Sequence, residues 1–243
     1  MTHKLLRPLS IGSVRLKNNL ALAPMAGITN AAFRILAVEG GAGLVVTEMV
    51  SAESIKYGNK KSFKMLELLP GERPAAIQVF GADPASMALA AQAAERAGAD
   101  IVDINAGCPV KKVLRSGSGA ALMKTPQLLA DIVSRMVKSV KVPVTVKLRI
   151  GLTVGENLGP LLARGGEEAG AAAITLHGRP ASQFHTGPIN LEAMAETAAA
   201  VRIPVFGNGG WRTPRTRGRC WRPAAPAWRW AAPPCSTPPF SPK

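Results

Sequence analysis

An α/β protein built as a TIM (β/α)8-type barrel, incomplete after strand seven, is the fold this sequence predicts. Three observations predict it. Short apolar segments alternate with helical periods at a pitch of roughly 30 residues, the mark of βαβ units around a parallel sheet. Seven such strands follow one another by residue 214, in a fold that needs about 250 residues when complete. Polar residues gather mostly at the strands' C-terminal ends: Pro24 and Met25, Glu48, Gln78, Asn105 to Cys108, Lys147 and Arg149, His177 to Arg179, and Asn208. A barrel brings those ends into one ring, where such folds build their sites. A doubly wound sheet is the competing fold and would spread them along an edge.

The elements follow in order. Residues 11–18 read as a polar-flanked lead-in or hairpin. Residues 20–23 form an apolar strand stopped by Pro24, and Thr29 or Asn30 caps a helix over 31–39 that ends at Gly40-Gly41. The second strand is 44–47. Residues 52–72 are polar and less regular. The third strand, 75–80, carries Gln78 inside, where an amide either satisfies buried backbone or faces a ligand. Asp83-Pro84 opens an amphipathic helix that runs to 97 and stops at Gly98. The fourth strand, 101–105, carries Asp103 and ends in Ala106-Gly107-Cys108-Pro109. A basic, glycine-rich loop follows, with Lys111, Lys112, Arg115, Gly117 and Gly119. A helix over 126–140 leads to the fifth strand, 142–148. A helix within 155–169 leads to the sixth, 172–176. A helix over 191–201 leads to the seventh, 203–206, which runs into Gly207-Asn208-Gly209-Gly210.

The chain has 243 residues and a net charge of +15. Residues 211–243 hold no acid and contribute +7, so the body still carries +8. A basic body suits a phosphate-rich partner such as RNA, and also serves plain solubility. No apolar run is long enough to span a membrane, and the N-terminus lacks the apolar core of a signal peptide. A cytoplasmic, membrane-free protein is expected, and a monomer. Cys108, Cys220 and Cys235 have no metal-ligand spacing, so reduced thiols and no metal site are expected.

Several residues invite chemistry, each with a plainer alternative. Cys108 sits at a strand tip beside cations and glycines, as a reactive thiol would; buried, inert cysteines are equally common. Lys147 and Arg149 lie two apart in a strand and share a face with Thr145, while Val144, Val146 and Leu148 take the other. They await an anionic ligand or form a salt bridge to Glu48 or Asp103. His177 contacts a ligand or is a packed, satisfied histidine. Gly207 to Gly210 lies where barrels bind phosphate through backbone N–H groups, though any tight turn uses glycine.

Six segments in order resemble the tRNA-dihydrouridine synthases: APMAGITNAAFR, QVFGADP, DINAGCPVKKV followed by GSGAALM, VTVKLRIG, ITLHGR and IPVFGNG. The resemblance covers about residues 10–214. It implies a flavin-dependent oxidoreductase that reduces the C5=C6 bond of uridine in tRNA, with FMN at the barrel mouth and NADPH as electron donor. Pro24, Met25 and Ala26 would lie against the flavin ring. Gln78 and Lys147 would bond its polar edge, and His177 would flank it. Asn208, Gly209 and Gly210 would hold the phosphate, although Gly210 stands where the family has an acid. Asn105, Lys147 and Arg149 would be near the uridine. Cys108 would be the general acid, since a thiol with a pKa near 8.5 is mostly protonated at neutral pH.

The resemblance implies two regions: an FMN-binding barrel over 1–214 and an aberrant tail over 215–243. The tail is rich in Arg, Pro and Trp, without strand, helix or apolar period, and expected to be disordered. The eighth strand and the family's C-terminal helical domain are not found there. Back-translated with GC-rich codons, the tail reads in another frame as EDARAMLAAGCAGVAVGRAALLD, so a frameshift near Pro214 is expected. With two strand edges open, low stability, weak flavin retention and poor or no turnover follow. The competing function is a non-catalytic RNA-binding protein that uses the basic body and the Arg/Trp tail. A third, an FMN barrel acting on a small molecule, fits the cysteine–lysine motif poorly.

Overall fold

The computed structural model describes residues 6–210 and the backbone of 228–232. A nine-stranded parallel sheet forms the centre. Its strands are β3 (Leu20–Leu22), β4 (Val45–Val46), β5 (Val50–Ser51), β6 (Ala75–Phe80), β7 (Ile101–Asn105), β8 (Val144–Arg149), β9 (Ala173–His177), β10 (Val205–Asn208) and β11 (Trp228–Ala232). The order is β3–β11–β10–β9–β8–β7–β6–β4, with β5 pairing β6 off this path. The two ends of that order also meet. Ala21 bridges Leu44 in parallel, and the Leu22 N–H donates to the Leu44 carbonyl at 2.9 Å. The ladder therefore returns on itself as a barrel.

Strand β11 corrects one expectation. No strand is legible after residue 214, yet 228–232 takes the eighth place, with Trp230 opposite Gly207 on one side and Leu20 on the other. The two edges expected to be open are thus paired. Periodicity could not announce this strand, because WRWAA sits among prolines and arginines. The barrel remains incomplete in its outer layer: among the described residues no helix follows β10. The expected disorder and frameshift concern residues that lie, apart from β11, outside the described ones.

A hairpin precedes the barrel, β1 (Leu9–Ile11) with β2 (Val14–Leu16), antiparallel. Its Leu9, Ile11 and Leu16 are buried with Ala76, Ile101, Ala173 and Phe206. Those residues stand first or second in their strands, so the hairpin plugs the barrel's N-terminal end. Above it, Ala21, Val46, Asp103, Thr145, Thr175 and Phe206 help line a cavity of about 20 Å³, room for about one water. The interior is therefore a packed core, and a ligand has only the opposite, C-terminal end.

The outer layer comprises α1 (Ala31–Glu39), α2 (Ala52–Lys56), α3 (Lys60–Lys64), α4 (Pro84–Arg96), α5 (Lys111–Arg115), α6 (Pro126–Val137), α7 (Gly159–Glu168) and α8 (Leu191–Ala199). Outward-facing Val102, Ile104, Val144, Val146, Leu148, Ile174 and Leu176 pack with Met87, Ile132, Met136, Leu162 and Met194 in one core. The caps are those the residues suggest. The Asp83 carboxylate accepts from the Ser86 N–H at 3.0 Å, with Pro84 in the first turn. Asn30 accepts from the Phe33 N–H at 3.1 Å. Two stretches are more regular than predicted. Residues 52–72 contain α2 and α3, capped by Ser51 and Asn59. The basic loop after Cys108 is helical over Lys111–Arg115. Five-residue helices are too short to show an apolar period.

Candidate active site

Strand β8 delivers both cations to the mouth. Lys147 Nζ donates to Asn208 Oδ1 at 3.1 Å. Arg149 is buried, and its Nε donates to the Gly107 carbonyl at 2.8 Å. Its Nη1 donates to the Phe184 carbonyl at 2.7 Å and the Pro180 carbonyl at 3.2 Å. The possible salt bridges to Glu48 or Asp103 are not formed, and neither cation has a carboxylate within ion-pair distance among the described residues. Glu48 instead accepts the Gly27 N–H at 2.5 Å.

This leaves charge in a poorly solvated place. Burial, helped by neighbouring Arg149, brings Lys147 down from 10.5 to about 8, against the opposing pull of Asp103 and Cys108. Burial brings Arg149 down to about 10, with Cys108 opposing and Arg179 adding to the fall. His177 is buried and pushed far below its usual range, first by burial and then by Lys147, Arg149 and Arg179. It is therefore neutral. The Arg179 N–H donates to its Nδ1 at 3.3 Å, and Arg149 Nη1 stands 3.5 Å from the same atom. The Arg179 donor at Nδ1 leaves the proton on Nε2.

The cysteine is held by a chain of side chains. Thr145 Oγ1 donates to Asp103 Oδ1 at 2.6 Å, and Gln78 Nε2 to Asp103 Oδ2 at 2.7 Å. Gln78 Oε1 accepts from Asn105 Nδ2 at 2.9 Å. Asn105 Oδ1 then accepts the N–H groups of Gly107 at 3.2 Å and Cys108 at 2.9 Å. Every link fixes the next amide's orientation. Burial pushes the Asp103 carboxyl up, while Thr145, Gln78 and Lys147 oppose that. The far side of the turn is closed by Gly119 at φ +60°, where a Cβ would stand 2.7 Å from the Cys108 carbonyl. The Ala120 N–H donates to that carbonyl at 3.0 Å. Cys108 itself is a half-buried free thiol.

The remaining predicted residues border the same mouth. Asn208 ends β10, and Gly209 and Gly210 follow at φ +106° and +71°. A Cβ on Gly209 would stand 3.2 Å from His177 Nε2, so only glycine lets this turn close over the histidine. Pro24 and Met25 are half-buried and Ala26 is exposed, in the turn after β3. Thr29 Oγ1 pins that turn, accepting the Met25 N–H at 3.1 Å. Arg34 Nη1 holds the Thr29 carbonyl at 2.7 Å, and its Nε pairs with buried Glu72 at 2.7 Å.

Thus Lys147, Arg149, His177, Asn208, Gly107 and Cys108 are linked by contacts. Gln78 has both ends of its amide engaged, with one Nε2 hydrogen and one Oε1 lone pair left over from those two bonds. Three supporting roles were missed. Asp103, noted only as a possible ion partner, anchors the amide chain, and an acid in an apolar strand was its signal. Thr145 was seen on the cations' face but not as a donor. The Arg34–Glu72 pair has no local signal, since its partners lie 38 positions apart.

Together these features define a (β/α)8-type barrel whose mouth sets a thiol beside two unneutralised cations and a neutral histidine, a class suited to an anionic ligand. The model of the dihydrouridine synthase (Dus) family matches residues 21–224. Among curated relatives, tRNA-dihydrouridine synthase B of Pseudomonas aeruginosa is 42% identical over 199 residues, 82% of this chain and 60% of that protein. The enzyme of the same name from Xanthomonas campestris pv. campestris is 37% identical over 214 residues, 88% of this chain and 64% of that protein. This chain belongs to the dihydrouridine synthase family. It spans about 60% of the length of the relatives it matches. Among solved structures, histamine dehydrogenase from Rhizobium sp. 4-9 aligns with a TM-score of 0.70 at 14% identity, over 94% of this chain and 45% of that one. Morphinone reductase aligns with a TM-score of 0.63 at 13% identity, over 93% and 85%. At such identities the likeness is one of fold alone.

Proposed function

We propose that this chain is the barrel of a tRNA-dihydrouridine synthase, reducing the C5=C6 bond of uridine in tRNA with FMN as cofactor and NADPH as electron donor. The observation that carries the reading is Cys108 held at the barrel mouth on the same strand-end ring as Lys147 and Arg149. The residues fit FMN: two cations without carboxylate partners suit an anion, and the glycine turn at 209–210 keeps a side chain out of the mouth. Bound FMN would supply hydride for C6 of the uridine.

The side chains supply the rest. Cys108 donates the proton that C5 needs once charge develops there. Lys147 offers a positive charge to the cofactor's anionic edge. Arg149 and Asn105 position the base, which must leave its stack to reach the mouth. Pro24, Met25 and Ala26 form the wall against the ring. Gln78 retains one N–H and one lone pair for its polar edge. His177, being neutral, flanks the ring without adding charge, and Asn208, Gly209 and Gly210 face the phosphate.

The test is Cys108→Ala on a tRNA transcript, reading dihydrouridine formed and the flavin spectrum together. The variant should keep its flavin and lose product formation by about 100-fold or more. Turnover at the parent's rate would remove Cys108 from the chemistry. A parent chain that binds the transcript and never alters it would instead favour the RNA-binding reading.

A further inference from the structure

Beside the mouth lies a surface that the reaction does not use. Tyr57, which ends α2, is 78% exposed, and Phe63 on α3 is 42% exposed. Lys56 Nζ stands 5.8 Å from the Tyr57 ring centroid. Lys60, Lys61 and Lys64 on α3 are all exposed. Across the mouth's rim, α5 presents Lys111, Lys112 and Arg115, also exposed. The nearby acids are Glu53, Glu67 and Asp83, and Asp83 is already engaged by Lys56 at 3.8 Å.

The two basic segments meet on one loop, residues 81–83. A Cβ on Gly81 would stand 3.0 Å from the Ala52 Cβ at the start of α2. A Cβ on Gly117, just past α5, would stand 3.4 Å from the Ala82 Cβ. Two residues further, Gly119 backs onto the Cys108 carbonyl. The basic arc therefore runs from α3, over the loop, to the cysteine turn. Lysines around an exposed aromatic ring are the composition that follows a phosphate backbone and stacks an unpaired base.

We infer that α2, α3 and α5 form an RNA-contact surface flanking Cys108, on which Tyr57 stacks an unpaired base and the lysines take phosphates. It deepens the tRNA reading and rests on it. It assigns RNA contact to the barrel itself, in residues 56–64 and 111–115.

Binding of a labelled tRNA transcript to the full chain, followed by anisotropy across a salt series, tests it, with FMN uptake measured on every sample. A combined Lys60→Ala, Lys61→Ala, Lys64→Ala variant should take up FMN as the parent does. The slope of log affinity against log salt should shrink by about 2 to 3. Tyr57→Ala should weaken binding about 5- to 150-fold with little change in slope. If the parent takes up FMN and binds the transcript while both variants bind equally well, the surface is wrong and the functional reading stands. A parent that binds neither FMN nor transcript overturns both. Loss with the lysine variant but none with Tyr57→Ala also overturns the inference as stated, because phosphate contacts alone would then hold the tRNA there with no base stacked on Tyr57.

Discussion

Lys147 is the residue at which fold and chemistry conflict most. An ammonium held near pKa 8 rather than 10.5 destabilises the fold while it is charged. Between those two values the unfolded chain holds a proton that the folded chain has released, so stability rises with pH across that window. The shift corresponds to a gain on the order of 3 kcal/mol by its upper end. Without bound ligand, Lys147→Met should therefore be more stable than the parent at pH 7, and the gap should narrow as pH approaches 10. Urea midpoints for both proteins across that range provide the check. A gap that does not change with pH would mean that Lys147 is well solvated or paired. An anionic ligand would offset the cost, which is a physical reason to keep a lysine there. The alternation of Val146 and Leu148 with Lys147 and Arg149 made this pair legible in the sequence. The Asn208 contact was not, because it links strands 61 positions apart.

At the scale of elements, strands and longer helices were readable and short elements were not. Strand β6 matches its predicted span, and α4 and α6 begin where Asp83-Pro84 and Pro126 place them. Helices α2, α3 and α5 give no period; the caps Ser51 and Asn59 were the only signal for α2 and α3, and α5, with Val110 at its N-cap, had none. Strand β11 is the sharpest case: its backbone completes a ring that its composition does not suggest. Both neighbours pair with it, so interrupting it should be felt across the barrel. Trp230→Pro removes a ladder donor opposite Gly207 and Leu20. It should cost about 2 kcal/mol or more, lowering the melting temperature by about 4 °C or more. A melting curve that superimposes on the parent's would show that 228–232 contributes nothing to the folded barrel.

At the scale of the whole molecule, the features form one gradient: a hairpin plug at one end, a packed core, and cations gathered at the other. The polar strand ends made that polarity legible, because residues such as Asn105, Lys147, His177 and Asn208 recur where each apolar run stops. The chain spans about 60% of the length of the relatives it matches. FMN is proposed to sit in this mouth, and a visible absorption spectrum of the purified 243-residue protein, before and after adding FMN, is the test. A flavin spectrum near one-to-one occupancy, retained through gel filtration, is the predicted result. A colourless protein that takes up no FMN would contradict it, and the chemistry assigned to Cys108 would fall with it.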